Sequence, residues 1–100
     1  MSDKIPVQIM KDLEPLIPRY VDRRHKEIED FRAKLAAGDF EALRLGGHSL
    51  KGSGGGYGFP QLTQIGAAIE MAAKAKDASA ITPLLAEYAD YMQRIEITFV

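Results

Sequence analysis

The sequence predicts an all-α protein: an antiparallel up-down-up-down four-helix bundle with a short N-terminal extra helical segment. Two observations support this prediction. Apolar residues recur at the three- and four-residue spacing of helices nearly throughout the chain, and we find no strand-like alternation. The breaks in that pattern are short, and short connections place neighbouring helices antiparallel.

The first helix is bounded by residues that interrupt helices at characteristic positions. Proline is tolerated in a first turn but not deep inside a helix, so Pro15 and Pro18 place the start between residues 13 and 19. Gly38 suits the position just past a helix end, and Asp39 suits the N-cap of the next helix. The first helix is therefore expected to end just before Gly38.

The remaining helices follow from one proline and one short polar stretch. The second helix runs from about 40 to 56, Pro60 opens the third, and residues 76–79 form the last connection. The segment Ile5–Leu13 is expected to form a short turn that caps one end of the bundle. The fourth helix carries apolar residues at the spacing of a bundle seam: Ile81, Leu85, Tyr88, Met92, Ile95 and Phe99.

Composition excludes several classes of protein. The chain has 100 residues, of which 46% are hydrophobic, and this suits a single domain covering residues 1–100. A formal net charge of −1 favours neither nucleic acid nor an anionic membrane, and the absence of cysteine excludes disulfides and thiolate metal sites. No apolar run approaches the eighteen or so residues of a membrane span. We expect a free-standing, monomeric, cytoplasmic protein.

The most informative stretch lies on the second helix, at Gly47-His48-Ser49-Leu50-Lys51-Gly52-Ser53. At about 100° per residue, His48, Lys51 and Gly52 fall outside the apolar stripe of that helix and form one exposed patch. Imidazole is a good phosphoryl acceptor near neutral pH, and the Lys51 ammonium can stabilise phosphoryl oxygens. Gly52 lets a partner's backbone come close. The residues therefore predict a site that accepts a phosphoryl group and transfers it.

Two further side chains are placed near this patch. Glu70 flanks the apolar stripe of the third helix, so an antiparallel neighbour can bring its carboxylate to the ring of His48. A carboxylate that accepts N–H from one ring nitrogen fixes the tautomer and leaves the other nitrogen free to attack. Arg44, one turn before His48, is interpreted as a solvated residue that helps partner binding. His25 lies in a basic stretch of the first helix and is interpreted as a surface residue.

Seven of the nine glycines lie between residues 46 and 58. Each is unfavourable by about 1 kcal/mol relative to alanine inside a helix, so their density needs a reason. We expect close packing against a neighbouring helix at Gly46, Gly47 and Gly54. At Gly52 and Gly55 we expect open access for a partner.

The pattern His48-Ser49-Leu50-Lys51-Gly52-Ser53, followed by Tyr57-Gly58-Phe59 and Ile69-Glu70, resembles the histidine-containing phosphotransfer (HPt) domain of phosphorelays. It is also similar to the phosphorylated N-terminal domain of chemotaxis kinases. The resemblance covers most of the chain. It implies that His48 is the phosphorylated residue, that Lys51 contacts the phosphate, that Gly52 is the access position and that Glu70 is the partner of the ring.

The resemblance also implies the kind of partner. A two-component phosphorelay would supply the phosphoryl group from an upstream histidine kinase or a response-regulator receiver domain, and another receiver aspartate would take it. The chain itself would hold no cofactor, because the receiver brings Mg²⁺. It would be a phosphoryl carrier, present in part as phosphohistidine, rather than an enzyme, with no nucleic acid or membrane as partner.

Three alternatives were weighed against this interpretation. An interaction-only helical module, in which the patch binds a receiver-like partner without chemistry, stays open. An autonomous kinase is excluded because the glycine run has no G-x-G-x-x-G spacing and Lys51 precedes Gly52, whereas a P-loop needs glycine before lysine. A zinc hydrolase is excluded because two histidines 23 residues apart, without cysteine, make no ligand set.

Overall fold

A computed structural model describes residues 3–100, and most of these residues are helical. Each of the four helices contacts two others, since α1 and α3 both pack against α2 and α4. The four predicted helices are therefore confirmed, while their up-down-up-down order stays a prediction. The elements are β1 (Ile5–Ile9), a 3₁₀ helix (Lys11–Leu16), α1 (Ile17–Ala36), α2 (Phe40–Gly54), a 3₁₀ turn (Gly55–Tyr57), α3 (Pro60–Lys74), α4 (Ala78–Arg94) and β2 (Ile95–Phe99).

The helix boundaries follow local chemistry. Gly38 has a φ of +70°, a left-handed conformation that glycine adopts without a Cβ penalty, and it ends α1. The Asp39 carboxylate accepts a hydrogen bond from the Ala42 amide at 3.1 Å and caps α2, as predicted. Asp77 caps α4 in the same way. The connection is therefore residues 75–77, and the predicted connection at 76–79 extends two residues into α4.

The core lies between the four helices and extends to one end of the bundle. The predicted seam of α4 is buried from Ile81 to Met92, and α2 buries Leu43 and Leu50 completely. Tyr88 is fully buried, and its hydroxyl donates a hydrogen bond of 2.7 Å to Glu27 on α1. Burial of such side chains is the main stabilising term of a domain of this size.

Two strands correct the all-α prediction at both ends of the chain. The predicted N-terminal extra helical segment is instead β1 followed by the 3₁₀ helix, and Ile95 and Phe99 belong to β2 rather than to the seam of α4. The strands pair in parallel, with Ile5 opposite Ile95. The physical reason is alternation: apolar residues at every second position turn one face of β1 and of β2 toward the bundle, while Glu96 and Thr98 are exposed.

Glycines set the distance between α2 and α3. A Cβ built on Gly47 would lie 2.7 Å from the Glu70 amide nitrogen, and one built on Gly54 would lie 2.7 Å from that of Thr63. On α3, a Cβ on Gly66 would lie against the Lys51 amide nitrogen. The two helices therefore pack backbone to backbone. This confirms the predicted close packing at Gly47 and Gly54, and a Cβ on Gly46 would likewise collide, there with a side chain of α1.

Candidate functional site

His48 stands on the outer face of α2 beside a buried carboxylate. Its side chain is 65% exposed, as expected from the helical spacing, whereas the Glu70 side chain is only 7% exposed. The two meet at 3.0 Å between Nδ1 of the ring and Oε2 of the carboxylate. The predicted contact between Glu70 and the ring is therefore confirmed, and the structure adds that Glu70 is buried rather than on an open flank.

The Glu70 carboxylate is shared between two donors. Its second oxygen, Oε1, lies 2.8 Å from the Lys51 ammonium nitrogen, and Lys74 approaches Oε2 at 4.0 Å from the next turn of α3. The hydrogen bond with Lys51 chiefly, and that with His48 in addition, lower the pKa of Glu70 despite the opposing effect of burial. Glu70 is therefore ionised at neutral pH.

An ionised carboxylate fixes the imidazole tautomer. Because such a carboxylate only accepts hydrogen bonds, the neutral ring must carry its proton on Nδ1 and donate it to Glu70. The other ring nitrogen, Nε2, then keeps its lone pair on the exposed side of the ring. The arrangement supplies an oriented nucleophile with a cation, Lys51, three residues further along the same helix.

The close approach of α2 and α3 brings the carboxylate to this position. The Glu70 backbone packs directly against Gly47, the residue before His48, and Gly66 lies one turn earlier on α3. The sequence analysis missed the role of Gly66 and the ion pairs that Glu70 makes with Lys51 and Lys74. The four-residue spacing from Glu70 to Lys74 was the available signal for the second of these pairs.

The predicted access positions are open, and their backbone is fixed from α3. Nothing lies within 4 Å of a Cβ built on Gly52, and Gly55 is exposed. The Gly55 amide donates to the Thr63 hydroxyl at 2.8 Å, and that hydroxyl donates to the Lys51 carbonyl at 3.0 Å. Thr63, another residue that the sequence analysis missed, thereby ties the end of α2 to α3.

Arg44 lies one turn before His48 but bonds to a different carboxylate. Its Nε donates to Glu41 at 3.0 Å, and the terminal nitrogen donates to the other oxygen of the same group. This bidentate pair raises the pKa of Arg44, with the hydrogen bonds to Glu41 as the main cause. No hydrogen bond joins Arg44 to His48 or Glu70 within residues 3–100, so its assignment to partner binding stays a prediction.

Comparison with known proteins gives one match. The family model described as Hpt domain matches residues 16–97. The chain belongs to the Hpt domain family. Members of this family carry phosphoryl groups in two-component phosphorelays and interact with histidine kinases and response regulators. Neither the search of curated proteins nor the search of solved structures found a match.

The matched part of this Hpt domain includes the whole site and all four helices. It begins at residue 16, so β1 lies outside it, and it ends at Ile97 within β2. Among residues 3–100 there is no cluster of three or more histidine, cysteine or acidic side chains placed to hold a metal ion. Over the same residues, every helix is too short or too polar to span a bilayer.

Proposed function

We propose that this Hpt domain is a phosphoryl carrier that accepts the group on Nε2 of His48 and exchanges it with the aspartate of a response-regulator receiver domain. The proposal rests on the orientation of the His48 ring. Its Nδ1–H is bonded to the buried Glu70 at 3.0 Å, and the rest of the side chain is exposed. A nucleophile that is both oriented and accessible is what phosphoryl transfer requires of a carrier.

The transfer balances without a cofactor on this chain. The Nε2 lone pair forms a bond to phosphorus while the bond from phosphorus to the receiver's aspartate oxygen breaks, and the leaving carboxylate takes the electron pair. The ring keeps its Nδ1 proton and gains positive charge, which the Glu70 carboxylate offsets. The receiver brings Mg²⁺ for the phosphoryl oxygens. A histidine kinase is the upstream donor in the same scheme.

Lys51 and the open glycines complete the proposal. The Lys51 ammonium is held 2.8 Å from Glu70 and is partly exposed, so it can turn toward phosphoryl oxygens carried by Nε2. Gly52 and Gly55 leave room for the partner's backbone. Arg44 lies four residues before His48 on α2, on the same side of the helix. Leu45 and Met71 are exposed apolar side chains that flank His48 and Glu70 in sequence, and they suit an apolar contact with the receiver.

The test is labelling by a phosphorylated receiver or a cognate kinase. We expect an acid-labile, base-stable phosphate that His48→Gln abolishes, with little change in helicity because the residue is exposed. The matched control is His25→Gln, which removes the chain's other histidine, an exposed residue of α1, and should leave labelling unchanged.

Two outcomes would contradict the proposal. Labelling that survives His48→Gln would move the acceptor to another residue. Receiver binding by the wild-type protein without any labelling would favour the interaction-only module instead. Measuring receiver affinity for both variants by titration separates these outcomes.

A further inference from the structure

The hydrogen bonds between β1 and β2, the two strands of the terminal sheet, show which residues face outward at its two edges. The Val100 amide donates to the Ile9 carbonyl and the Lys11 amide donates to the Val100 carbonyl, both at 2.9 Å. In a parallel ladder the residues alternate between facing the partner strand and facing outward. Residues 5, 7 and 9 of β1 therefore bond to 96, 98 and 100, so that Pro6 and Gln8 face outward on β1, and Ile97 and Phe99 face outward on β2.

Of the two outer edges, only that of β2 is open at two successive outward residues, Ile97 and Phe99. On β1 the outward position 6 is a proline, which has no N–H to offer another strand. On β2 the outward residues Ile97 and Phe99 keep both amide and carbonyl, and the hydrogen bonds of residues 3–100 include none to these groups. An unprotected edge of this kind is a template for pairing with a further strand.

An apolar groove lies beside this open edge. It has a volume of about 360 Å³ and is lined by Glu14, Ile17, Pro18, Val21, Ile97 and Phe99. A strand added to β2 would run about 4.8 Å outside it, over the groove, and would direct alternate side chains into it. The occupant that fits is therefore an extended segment with apolar residues at every second position.

We propose that the occupant is β2 of a second copy of this chain, paired antiparallel about a two-fold axis at Ile97. In this register Ile97 faces Ile97 and Ile95 faces Phe99, so the Ile97 amide and carbonyl pair with those of the other copy and the Phe99 amide pairs with the Ile95 carbonyl. The Ile95 amide stays bonded to Tyr91 at the end of α4, and all apolar side chains share one face. Glu96 then faces Thr98 of the other copy, so that no like charges oppose each other. Strand β2 is thus complementary to itself.

The resulting four-stranded sheet is closed. Its order is β1-β2-β2-β1, and both outer edges carry Pro6, which stops growth beyond two copies. None of the groove residues contacts His48, Lys51 or Glu70 through a hydrogen bond or ion pair. The groove belongs to the 3₁₀ helix, α1 and β2, whereas those three residues belong to α2 and α3. This proposal differs from the monomer that the sequence analysis expects.

The test is sedimentation equilibrium of the full chain from micromolar to millimolar concentration. We expect a species of twice the 11.0 kDa chain mass that dissociates on dilution. Ile97→Pro removes an outward amide from β2 and should abolish the dimer. The matched control Gln8→Pro removes an outward amide from β1 and should leave it intact.

A charge exchange tests the register without burying a new group. Thr98→Glu places one carboxylate opposite each Glu96 across the axis and should weaken the dimer by roughly 2- to 30-fold in Kd, since both cross-strand pairs become repulsive. Adding Glu96→Lys to that variant should restore it. Both positions are exposed, so the monomer fold is unaffected.

The outcomes separate this proposal from the proposed function. A wild-type chain that stays monomeric throughout would overturn it and would assign the edge to a strand of another protein. A dimer indifferent to both Ile97→Pro and Thr98→Glu would overturn it in favour of a different face. The charge variants should still be labelled on His48, so a failure of labelling would not count against the dimer.

Discussion

Gly66 offers the sharpest test of the packing that positions the candidate site. In Gly66→Ala the new methyl group would lie against the Lys51 amide nitrogen and 2.7 Å from the Gly47 carbonyl oxygen. These are backbone atoms, which cannot rotate away. Ordinary contact begins near 3.4 Å, so relieving the contact with the Gly47 oxygen alone requires α2 and α3 to separate by at least about 0.7 Å. Glu70 lies one turn further on α3, and the same shift lengthens its 3.0 Å bond to His48 beyond hydrogen-bonding range.

The magnitude is a balance of two opposing terms. Replacing a helical glycine by alanine gains about 1 kcal/mol of helix propensity. Overpacking loses about 1–3 kcal/mol, and contact with a rigid backbone belongs at the upper end of that range. We therefore expect Gly66→Ala to lose about 2 kcal/mol in the free energy of unfolding, or roughly 8–16 °C in Tm.

The assay is urea unfolding together with NMR of the imidazole nitrogens. Gly52→Ala is the matched control, because nothing lies within 4 Å of its Cβ, and it should gain about 1 kcal/mol. The ring nitrogens should show loss of the single tautomer in Gly66→Ala and not in Gly52→Ala. A Gly66→Ala protein as stable as the wild type would refute the reasoning that α2 and α3 meet through their backbones.

Two further predictions concern the hydrogen bond between Tyr88 on α4 and Glu27 on α1, and the pH dependence of the free energy of unfolding. Tyr88→Phe deletes the hydroxyl that bonds Glu27 at 2.7 Å and should lose about 2 kcal/mol by urea unfolding, whereas an unchanged midpoint would contradict a role for this bond. The pKa of Glu70 is lowered in the folded protein, so its ionised carboxylate stabilises the fold above the ordinary glutamate pKa. This contribution to the free energy of unfolding should be lost as the pH falls below that value. The pKa of Glu27 is raised by burial, so folding favours its protonated form. This contribution to the free energy of unfolding should be lost as the pH rises above the ordinary glutamate pKa. Urea unfolding of Glu70→Gln and Glu27→Gln from acid to neutral pH should therefore diverge from wild type in opposite directions, and parallel curves would contradict both assignments.

The four helices could be predicted because their signals are local. Gly38, Asp39 and Pro60 act within one turn of where they stand, and the structure uses them as the sequence indicates. The contact between His48 and Glu70 also followed from helical spacing once α2 and α3 were taken as neighbours. These features needed only the period of a helix and the chemistry of its ends.

The terminal strands could not be predicted in the same way. Ile95 and Phe99 fit the seam of α4 by their spacing and fit a strand equally well by alternation with Ile97. The choice depends on β1, whose pairing with β2 leaves no trace within either segment alone. The burial of Glu70 was missed for a related reason, because it accompanies a close approach of α2 and α3 to which Gly47 on one helix and Gly66 on the other both contribute.

The parallel pairing of β1 with β2, here called the parallel ribbon, also bears on how the chain folds. Each of its pairs joins residues ninety positions apart, as Ile5 and Ile95 show. Closing so long a loop is entropically unfavourable until the helices between have docked, so the ribbon forms after the bundle. By the same argument it is the part that opens at the lowest free energy, with its amides exchanging before those of α2 and α3. The two ends of the chain thus form a late, detachable unit on a bundle that folds through its local contacts.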